Sequence, residues 1–485
     1  MLNHIIKLIL IILLIFTPII FGSMELWAFS LMELGILLMI VLWAIQSIIA
    51  NRQWAKGNSQ SLINDPNDHN VLNVPNVIFV FISLFLLLVL FQMAPLPSGL
   101  IKTISPKTFS LYHSLTSDLA PLTSSYGLEP SALSFHLSFV PFATKIELLK
   151  WLTLTGLFLL LLNWKGFDRK TTSHLILIIM LVGVSESLYG MLEFFSGHRY
   201  ILNMNMKADT VTGTFINRNY FAGYLLMVIP LSLGYFFSRE AFHKGPSMGW
   251  RHRLSSLDGK TLLIAFGIIV MILGLLFSAS RMGIVSLLLS FSLITLLFRG
   301  SQSRQRFSKT TVWIFSLAVL WALWIGLDAV VGRFFITSET FKERWMIWVN
   351  TFQIFKDFPI FGSGLGTFIH LFPMYRSFHI RGFHSHAEND FLQLLSDVGL
   401  IGIGLLLLVF GFLIFRAVSG IRSFHSSDSK KYIAIGGLVG ILALMFHSLV
   451  ERNIQVPSNA FLYTFLWALV LRISKPKTPT EPMTQ

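Results

Sequence analysis

Residues 383–402 read FHSHAENDFLQLLSDVGLIG, and this stretch joins two contrasting kinds of sequence. Two histidines, a glutamate, an asparagine and an aspartate fall between His384 and Asp390, and an apolar run directly follows them. That run is long enough to cross a bilayer. Polar groups at a membrane edge are costly unless they face water or a ligand. The stretch therefore predicts a membrane protein with a functional site at one end of a spanning helix.

The composition of the whole chain is that of a polytopic α-helical membrane protein. Of its 485 residues, 54% are hydrophobic and 12% are charged, whereas soluble domains average about 25% charged residues. Continuous apolar runs of about 20 residues recur, which excludes the short alternating strands of a β-barrel. The chain has no cysteine, so disulfides and thiolate metal sites are excluded. The net charge of +14 indicates basic cytoplasmic loops rather than nucleic-acid binding.

The apolar runs predict an all-α bundle of about twelve transmembrane helices. Lys and Arg are denser in the loops on the side of the N-terminus, so both termini are expected in the cytoplasm. Two long outer loops result, at 95–144 and 332–396. We expect N-terminal helices over 1–170, a membrane domain over 171–472 and a cytoplasmic tail over 473–485. The predicted spans are 5–22, 26–50, 76–94, 146–163, 173–195, 219–238, 261–279, 282–298, 310–331, 397–417, 432–450 and 458–472.

Arginines on the outer side are informative because the topology rule selects against positive charge there. Arg218 and Arg281 stand at the outer ends of predicted spans, with no acidic neighbour in sequence. Arg344 and Arg452 each adjoin a glutamate, with which a local ion pair is the alternative role. A guanidinium presents a rigid fork of donors that matches phosphate oxygens. Several arginines at one membrane edge therefore predict a binding site for a lipid pyrophosphate.

Two further polar groups lie at the outer ends of predicted spans. Asn217 and Asn219 flank Arg218, where their amides can bind sugar or phosphate oxygens or cap the following helix. The segment HSLVERNIQVPSNA, residues 447–460, interrupts two apolar runs. Polar groups in such a place line a cavity or join helices.

The polar cluster at 384–390 is compatible with three roles. His386 or Glu388 can serve as a general base for an acceptor hydroxyl, because histidine titrates near neutral pH and burial raises the pKa of a glutamate. A metal site is the second role, although H-x-H-x-E is not the spacing of a helical zinc site. Structural hydrogen bonding or substrate positioning is the third. There, His384 and Asn389 would orient the substrate, or Asn389 and Asp390 would cap the next helix.

The outer loop 332–396 is expected to contain an amphipathic helix that ends before the glycine-rich segment GSGLG, residues 362–366. This segment lacks the Lys-Ser/Thr pair of a Walker A loop, so its glycines are expected to turn the chain back toward the membrane. The helix should lie in the outer interface with its apolar face toward lipid or the bundle. That face comprises Phe341, Trp345, Trp348, Phe352 and Phe355.

Four segments in this order resemble the O-antigen ligase family of the Wzy polymerase C-domain superfamily. FINRNYFAGYL, residues 215–225, is similar to the family's Asn-x-Asn start of a span, and SASRMGIVSLLL, residues 278–289, to its Ser-Arg turn. RWMIWVNTFQIFKDFPIFGSGLGTF with HSHAENDFLQLLSDVGLIG resembles its long outer loop. HSLVERNIQVPSNAFLY resembles a helix-turn of exopolysaccharide members. The resemblance covers roughly residues 180–470.

The resemblance implies an inverting glycosyltransferase with a GT-C-like bundle and no metal ion or other cofactor. Such enzymes take a glycan from an undecaprenyl-pyrophosphate donor on the periplasmic face of the bacterial inner membrane. Ligases pass it to a lipid A core sugar, and related members pass it to protein or to another lipid-linked repeat. The family's pyrophosphate-binding arginine corresponds to Arg281 in the Ser-Arg turn, and Arg218 is the second candidate.

One departure from the family pattern concerns the base. In ligases a histidine, followed by Asn, Ser or Gln, precedes two glycine-type positions at fixed spacing. Counting back from Gly399 and Gly402 places Glu388 at the histidine position and Asn389 after it. Either Glu388 is the base or His386 replaces it, and the departure favours a polymerase or another acceptor over lipid A.

Two other classes of protein stay open from the sequence. A transporter or flippase of lipid-linked oligosaccharide would carry polar residues along its spans, whereas here the polar residues concentrate on one face. A non-catalytic scaffold of an envelope polysaccharide complex would leave the His, Glu and Arg residues without a role.

Overall fold

The computed structural model is an assembly of α-helices with one short antiparallel pair of strands at Tyr200–Ile201 and Met204–Asn205. The structure describes residues 2–57, 76–125, 135–198, 200–202, 204–205, 209–239, 258–297, 304–325, 338–378, 384–425 and 428–474. The helices are α1 Leu2–Ile19, α2 Leu26–Gly57, α3 Asn76–Met93, α4 Ser98–Ile104, α5 Pro106–Ser125, α6 Pro141–Asn163, α7 Arg169–Ser196, α8 Arg218–Ser238, α9 Gly259–Phe277, α10 Arg281–Leu297, α11 Arg304–Ile325, α12 Ser338–Asp357, α13 Phe368–Tyr375, α14 Asp390–Arg422, α15 Lys430–His447 and α16 Pro457–Ile473.

The helices confirm the predicted all-α, polytopic membrane fold. Each of the twelve predicted spans overlaps a helix, and residues 298 and 326–331 of these spans lie outside the described residues. Within the described residues, eight helices are long and apolar enough to cross a membrane, and three shorter apolar helices accompany them. The count of twelve spans and the orientation of the termini stay predictions. The predicted loop 95–144 contains α4 and α5, and loop 332–396 contains α12, α13 and the first turns of α14.

Helix α8 forms the centre of the bundle and is buried along nearly its whole length. It packs on α15 through glycines, since a Cβ added at Gly436 would lie 3.0 Å from the Cα of Gly234. Small residues let the backbones of two membrane helices approach closely. This packing fixes the N-terminus of α8, where Arg218 stands, in the middle of one end of the bundle.

Helix α14 begins at Asp390, before the predicted span at 397–417, and bends at Gly399. Gly399 has φ 64° and ψ −169°, a conformation that essentially only glycine adopts. At the bend, two backbone N–H groups donate hydrogen bonds to carbonyl groups of the segment after α12 instead of to carbonyls of their own helix. The N–H of Leu400 donates to the carbonyl of Pro359 at 2.9 Å, and that of Ile401 to Ile360 at 3.2 Å. The polar start of α14 is thereby set at a defined angle to its membrane part.

The glycine-rich segment 362–366 is a turn, and it packs directly on this bend. Gly362, Gly364 and Gly366 all have positive φ. A Cβ at Gly362 would lie 2.3 Å from the carbonyl carbon of Asp397, which leaves no room for a side chain. Gln92 of α3 joins both parts, donating to the carbonyls of Phe361 and Asp397 at 2.6 and 3.0 Å. The segment 359–366 is therefore anchored to α3 and α14 by hydrogen bonds and close packing of its backbone.

Helix α12 presents apolar residues on two sides. Ile347 and Ile354 of α12, with Phe358 directly after the helix, are buried against α13 and the loop before α14. Of the predicted apolar face, Phe341, Trp345 and Phe352 are exposed. The position of this exposed face against lipid stays a prediction.

Candidate active site

A cavity of about 690 Å³ lies where α12 and the loop before α14 meet the N-termini of α8 and α10. Five segments supply its walls: the starts of α8 and α10, helix α12, the loop 384–388, and the loop between α15 and α16. A volume in this range is typical of sites that hold a substrate or cofactor. The lining residues are Asn217, Arg218, Asn219, Arg281, Met282, Phe341, Glu343, Arg344, Ile347, Trp348, His384, Glu388, Val450 and Glu451.

The positive side of the cavity is built from two helix N-termini. Arg218 is the first residue of α8 and Arg281 the first of α10. Asn217 caps α8, because its side-chain oxygen accepts the N–H of Asn219 at 2.8 Å. Ser280 caps α10, because its hydroxyl accepts the N–H of Gly283 at 3.3 Å. Helix N-termini carry partial positive charge and favour anions, so dipoles and guanidinium groups act in the same direction here.

A chain of hydrogen bonds along the cavity wall joins α8, α10 and α12. The Ser280 hydroxyl donates to the Asn219 side chain at 2.9 Å, and Asn219 in turn hydrogen-bonds Glu451. Arg344 donates to the carboxylate of Glu451 and to the carbonyl of Val450, the latter at 3.2 Å. The sequence suggested Arg344 with Glu343 and Arg452 with Glu451 as local pairs. The structure instead pairs Arg344 with Glu451, over a separation of more than a hundred residues.

Burial raises the pKa of Glu451 to about 7, which Arg344 opposes and the nearby charge of Glu388 reinforces. A carboxyl group whose pKa is higher in the folded than in the unfolded chain stabilises the fold at low pH. That contribution is complete below 4.5 and is lost as the pH rises toward 7.

The stability of the wild type should therefore fall because of Glu451 as the pH rises from 4.5 to 7, and replacement of Glu451 by glutamine should remove this part of the fall. Other buried acids affect both proteins equally, so the comparison isolates Glu451. The measurement is the melting temperature of the purified proteins in detergent across this pH range. Parallel curves for the wild type and E451Q would contradict the raised pKa.

Glu388 and His384 face the cavity from the loop before α14. Glu388 has φ 51°, a left-handed conformation that is uncommon outside glycine and concentrates at functional sites. The Glu388 carboxyl group is close enough to interact electrostatically with Glu451, Arg344 and Tyr220. The Nε2 of His384 lies 3.5 Å from a carboxylate oxygen of Glu343 on α12. The cavity thus combines three arginines with three glutamates and one histidine.

Three predicted site residues do not line this cavity. Asn389 caps α14, because its side-chain oxygen accepts the N–H of Leu392 at 3.0 Å. His386 and Arg452 line a second cavity of about 160 Å³. Burial, reinforced by the positive charges of Arg452 and Lys150, lowers the pKa of His386 to about 2. His386 is therefore neutral at physiological pH and a very weak base.

Sequence reasoning missed residues that hold the site together. Asp390 is fully buried, and one carboxylate oxygen accepts the N–H groups of Asn453 and Ile454, both at 2.7 Å. This carboxylate ties the start of α14 to the loop that carries Glu451. Its position in the polar cluster suggested only a helix cap, since the partners are backbone groups that no sequence motif reveals. Glu343 and Trp348 also line the cavity, although the sequence indicated only a helix surface.

The fold and the site define a multi-pass membrane protein with a cavity at one end of its helical bundle, lined by three arginines and three glutamates. Residues 266–407 match the family model described as "Wzy_C: O-Antigen ligase". The match supports the predicted resemblance to the O-antigen ligase family and a membrane role in glycan ligation. The matched segment includes Arg281, Arg344 and the loop with Glu388, whereas Arg218 and Arg452 lie outside it. No curated protein matches the chain.

Proposed function

We propose that this protein is a glycosyltransferase of the bacterial inner membrane that acts on the periplasmic face. It moves a glycan from an undecaprenyl-pyrophosphate donor to an acceptor hydroxyl, as an O-antigen ligase or an exopolysaccharide polymerase does. The observation that carries the proposal is one cavity that joins Arg218, Arg281 and Glu388 at the end of the membrane bundle. The O-antigen ligase domain supports glycan ligation as the class of reaction.

The pyrophosphate of the donor would bind between the N-termini of α8 and α10. Arg218 and Arg281 supply charge-assisted hydrogen bonds, which are stronger than those between neutral groups. Arg344 offers further positive charge, and its bond to Glu451 holds it at the cavity wall. Trp348 and Phe341 add flat apolar surfaces on the α12 side, beside which a sugar ring can lie.

In the transfer step the acceptor oxygen attacks the anomeric carbon of the donor sugar while its proton passes to Glu388. The bond between that carbon and the pyrophosphate oxygen breaks, and its electron pair leaves with the lipid pyrophosphate. Attack opposite to the leaving group inverts the configuration at the carbon. Arginines placed where this negative charge develops lower the barrier, so the step needs no metal ion.

Glu388 is a better candidate for the base than His386. Glu388 lines the cavity of the arginines, and His386 lines the second cavity. A pKa of about 2 also leaves His386 with little affinity for a proton from a hydroxyl. We assign His384 a positioning role through Glu343, and Asn389 the role of holding the loop by capping α14.

Replacement of Arg281 by alanine should weaken binding of a polyprenyl-pyrophosphate lipid by about 10- to 100-fold, since hydrogen bonds to charged groups contribute about 1.5–3 kcal/mol. The lipid pyrophosphate would be titrated into purified protein and its binding followed directly. Arg376→Ala is the matched control, because Arg376 is exposed and lines none of the cavities described here. Equal affinities of R281A, R376A and the wild type would contradict the proposed donor site.

A further inference from the structure

The second cavity contains several buried polar atoms that lack a hydrogen-bond partner within the described part of the chain. These atoms are Nε of Arg452, Oδ1 of Asp397 and Nδ1 of His386. Arg452 is 8% exposed and Asp397 is 2% exposed, so bulk water does not reach either of them freely. Buried polar groups are nearly always hydrogen-bonded in native proteins. Three such atoms around one cavity indicate a polar occupant.

The charges around this cavity favour an uncharged occupant. Arg452 faces the same space as Asp397, and Glu147 at its rim forms an ion pair with Lys150. The second cavity has two acidic side chains and one arginine in its lining, whereas three arginines match three glutamates in the first, so a phosphate group finds less positive charge in the second. Hydroxyl groups both donate and accept hydrogen bonds. They can therefore satisfy Arg452, Asp397 and His386 together, and a volume of about 160 Å³ offers space on the scale of one sugar ring.

An apolar groove adjoins this cavity between α3, α6, α14 and α16. Trp151, Leu394 and Gln455 line both spaces. The groove has a volume of about 130 Å³ and continues along α6 to Phe158 and along α16 to Trp467. At 1.5 Å per helical residue, the part from Trp151 to Phe158 extends about 10 Å. Its four walls are helices that coincide with predicted spans, so it lies where hydrocarbon chains are present.

We propose that the polar cavity and the groove together bind a lipid whose hydrocarbon chain carries an uncharged, hydroxylated head, and that this lipid is the acceptor. The sugar head hydrogen-bonds Arg452, Asp397 and His386, and the first part of the chain lies along α6 and α16. The assignment as acceptor rests on the transfer reaction proposed above; the binding site itself does not.

The position of the site relative to Glu388 supports the assignment as acceptor. The loop 384–388 is a wall common to both cavities: His384 and Glu388 face the first, and Ser385 and His386 face the second. Likewise, Glu451 lines the first cavity and its neighbour Arg452 lines the second. An acceptor sugar held in the second cavity therefore lies beside the loop that carries the proposed base.

The test uses the full-length protein in lipid nanodiscs and an octyl glucoside probe with a photoreactive group on its chain. We expect labelling on α6 and α16 beside the groove. Thr464→Phe, which fills the groove, and His386→Leu, which removes a head contact, should each lower labelling at least tenfold. Leu408→Phe is the matched control, because Leu408 of α14 is 52% exposed and outside the groove. Unlabelled octyl glucoside should compete at least tenfold better than octyl phosphate.

Each other outcome overturns the proposal. Labelling that T464F and H386L leave unchanged would show that the probe binds outside the groove and the polar cavity. Better competition by octyl phosphate would identify the groove as a site for an anionic lipid, either a phospholipid or the donor. Because Arg281 is outside this site, R281A should bind the lipid pyrophosphate more weakly, while its labelling by the octyl glucoside probe should equal that of the wild type. A failure of the acceptor site can thus be told apart from a failure of the donor site.

Discussion

Replacement of Glu388 by glutamine is expected to lower the rate of glycan transfer by about 10²- to 10⁴-fold, the usual contribution of a general base. Glutamine keeps the size and hydrogen-bonding capacity of the side chain but cannot accept the proton of the acceptor hydroxyl. The rate would be measured with the purified protein at saturating donor and acceptor, together with the melting temperature. Loss of rate at an unchanged melting temperature is the expected pattern.

Two companion variants make this result specific. Glu193→Gln also neutralises a glutamate, but Glu193 lines none of the cavities described and should keep the wild-type rate. At saturating acceptor, the transfer rate of His386→Ala should be at least ten times that of E388Q, because His386 faces the second cavity. The reverse order, with H386A inactive and E388Q active, would make His386 the base.

Replacement of Gly399 by alanine is expected to destabilise the protein by at least about 3 kcal/mol, the upper end of the usual cost of a strained backbone conformation. The φ of 64° and ψ of −169° suit only glycine. In addition, an added Cβ would lie 2.4 Å from the carbonyl oxygen of Ile360 and 2.5 Å from the backbone nitrogen of Gly362. The bend of α14 and the turn beside it would have to separate, which would displace the loop of Glu388.

The matched control is Gly404→Ala in the same helix, where an added Cβ would contact nothing. Alanine is favoured over glycine inside a helix by about 1 kcal/mol, so G404A should melt at or above the wild-type temperature. The melting temperatures of both variants in detergent provide the test. Wild-type stability of G399A would contradict the described bend.

The sequence predicted the all-α membrane fold because the bilayer requires apolar runs of a certain length and places most basic residues in the loops on one side. It did not predict the bend at Gly399. The bend depends on a contact between two backbone segments, and the sequence shows such a contact only as isolated glycines, which have many other possible roles. For the same reason the partner of Arg344 was missed, since ion pairs between distant segments depend on how helices pack.

The two candidate bases differ by only two positions, and the sequence could not separate them. From the sequence, His384, His386 and Glu388 formed one polar cluster and were assigned to a single site. The loop is not extended throughout, because Glu388 has φ 51°. His384 and Glu388 consequently face the first cavity while His386 faces the second.

The central claim is that the cavity of Arg218, Arg281 and Glu388 performs glycan transfer. The most direct measurement follows product from a lipid-linked donor with purified wild-type protein in detergent, without added metal and with EDTA, beside E388Q and R281A. We predict product from the wild type, with loss of product in both variants. Absence of product from the wild type, together with movement of the lipid across the membrane in proteoliposomes, would contradict the claim and identify a transporter.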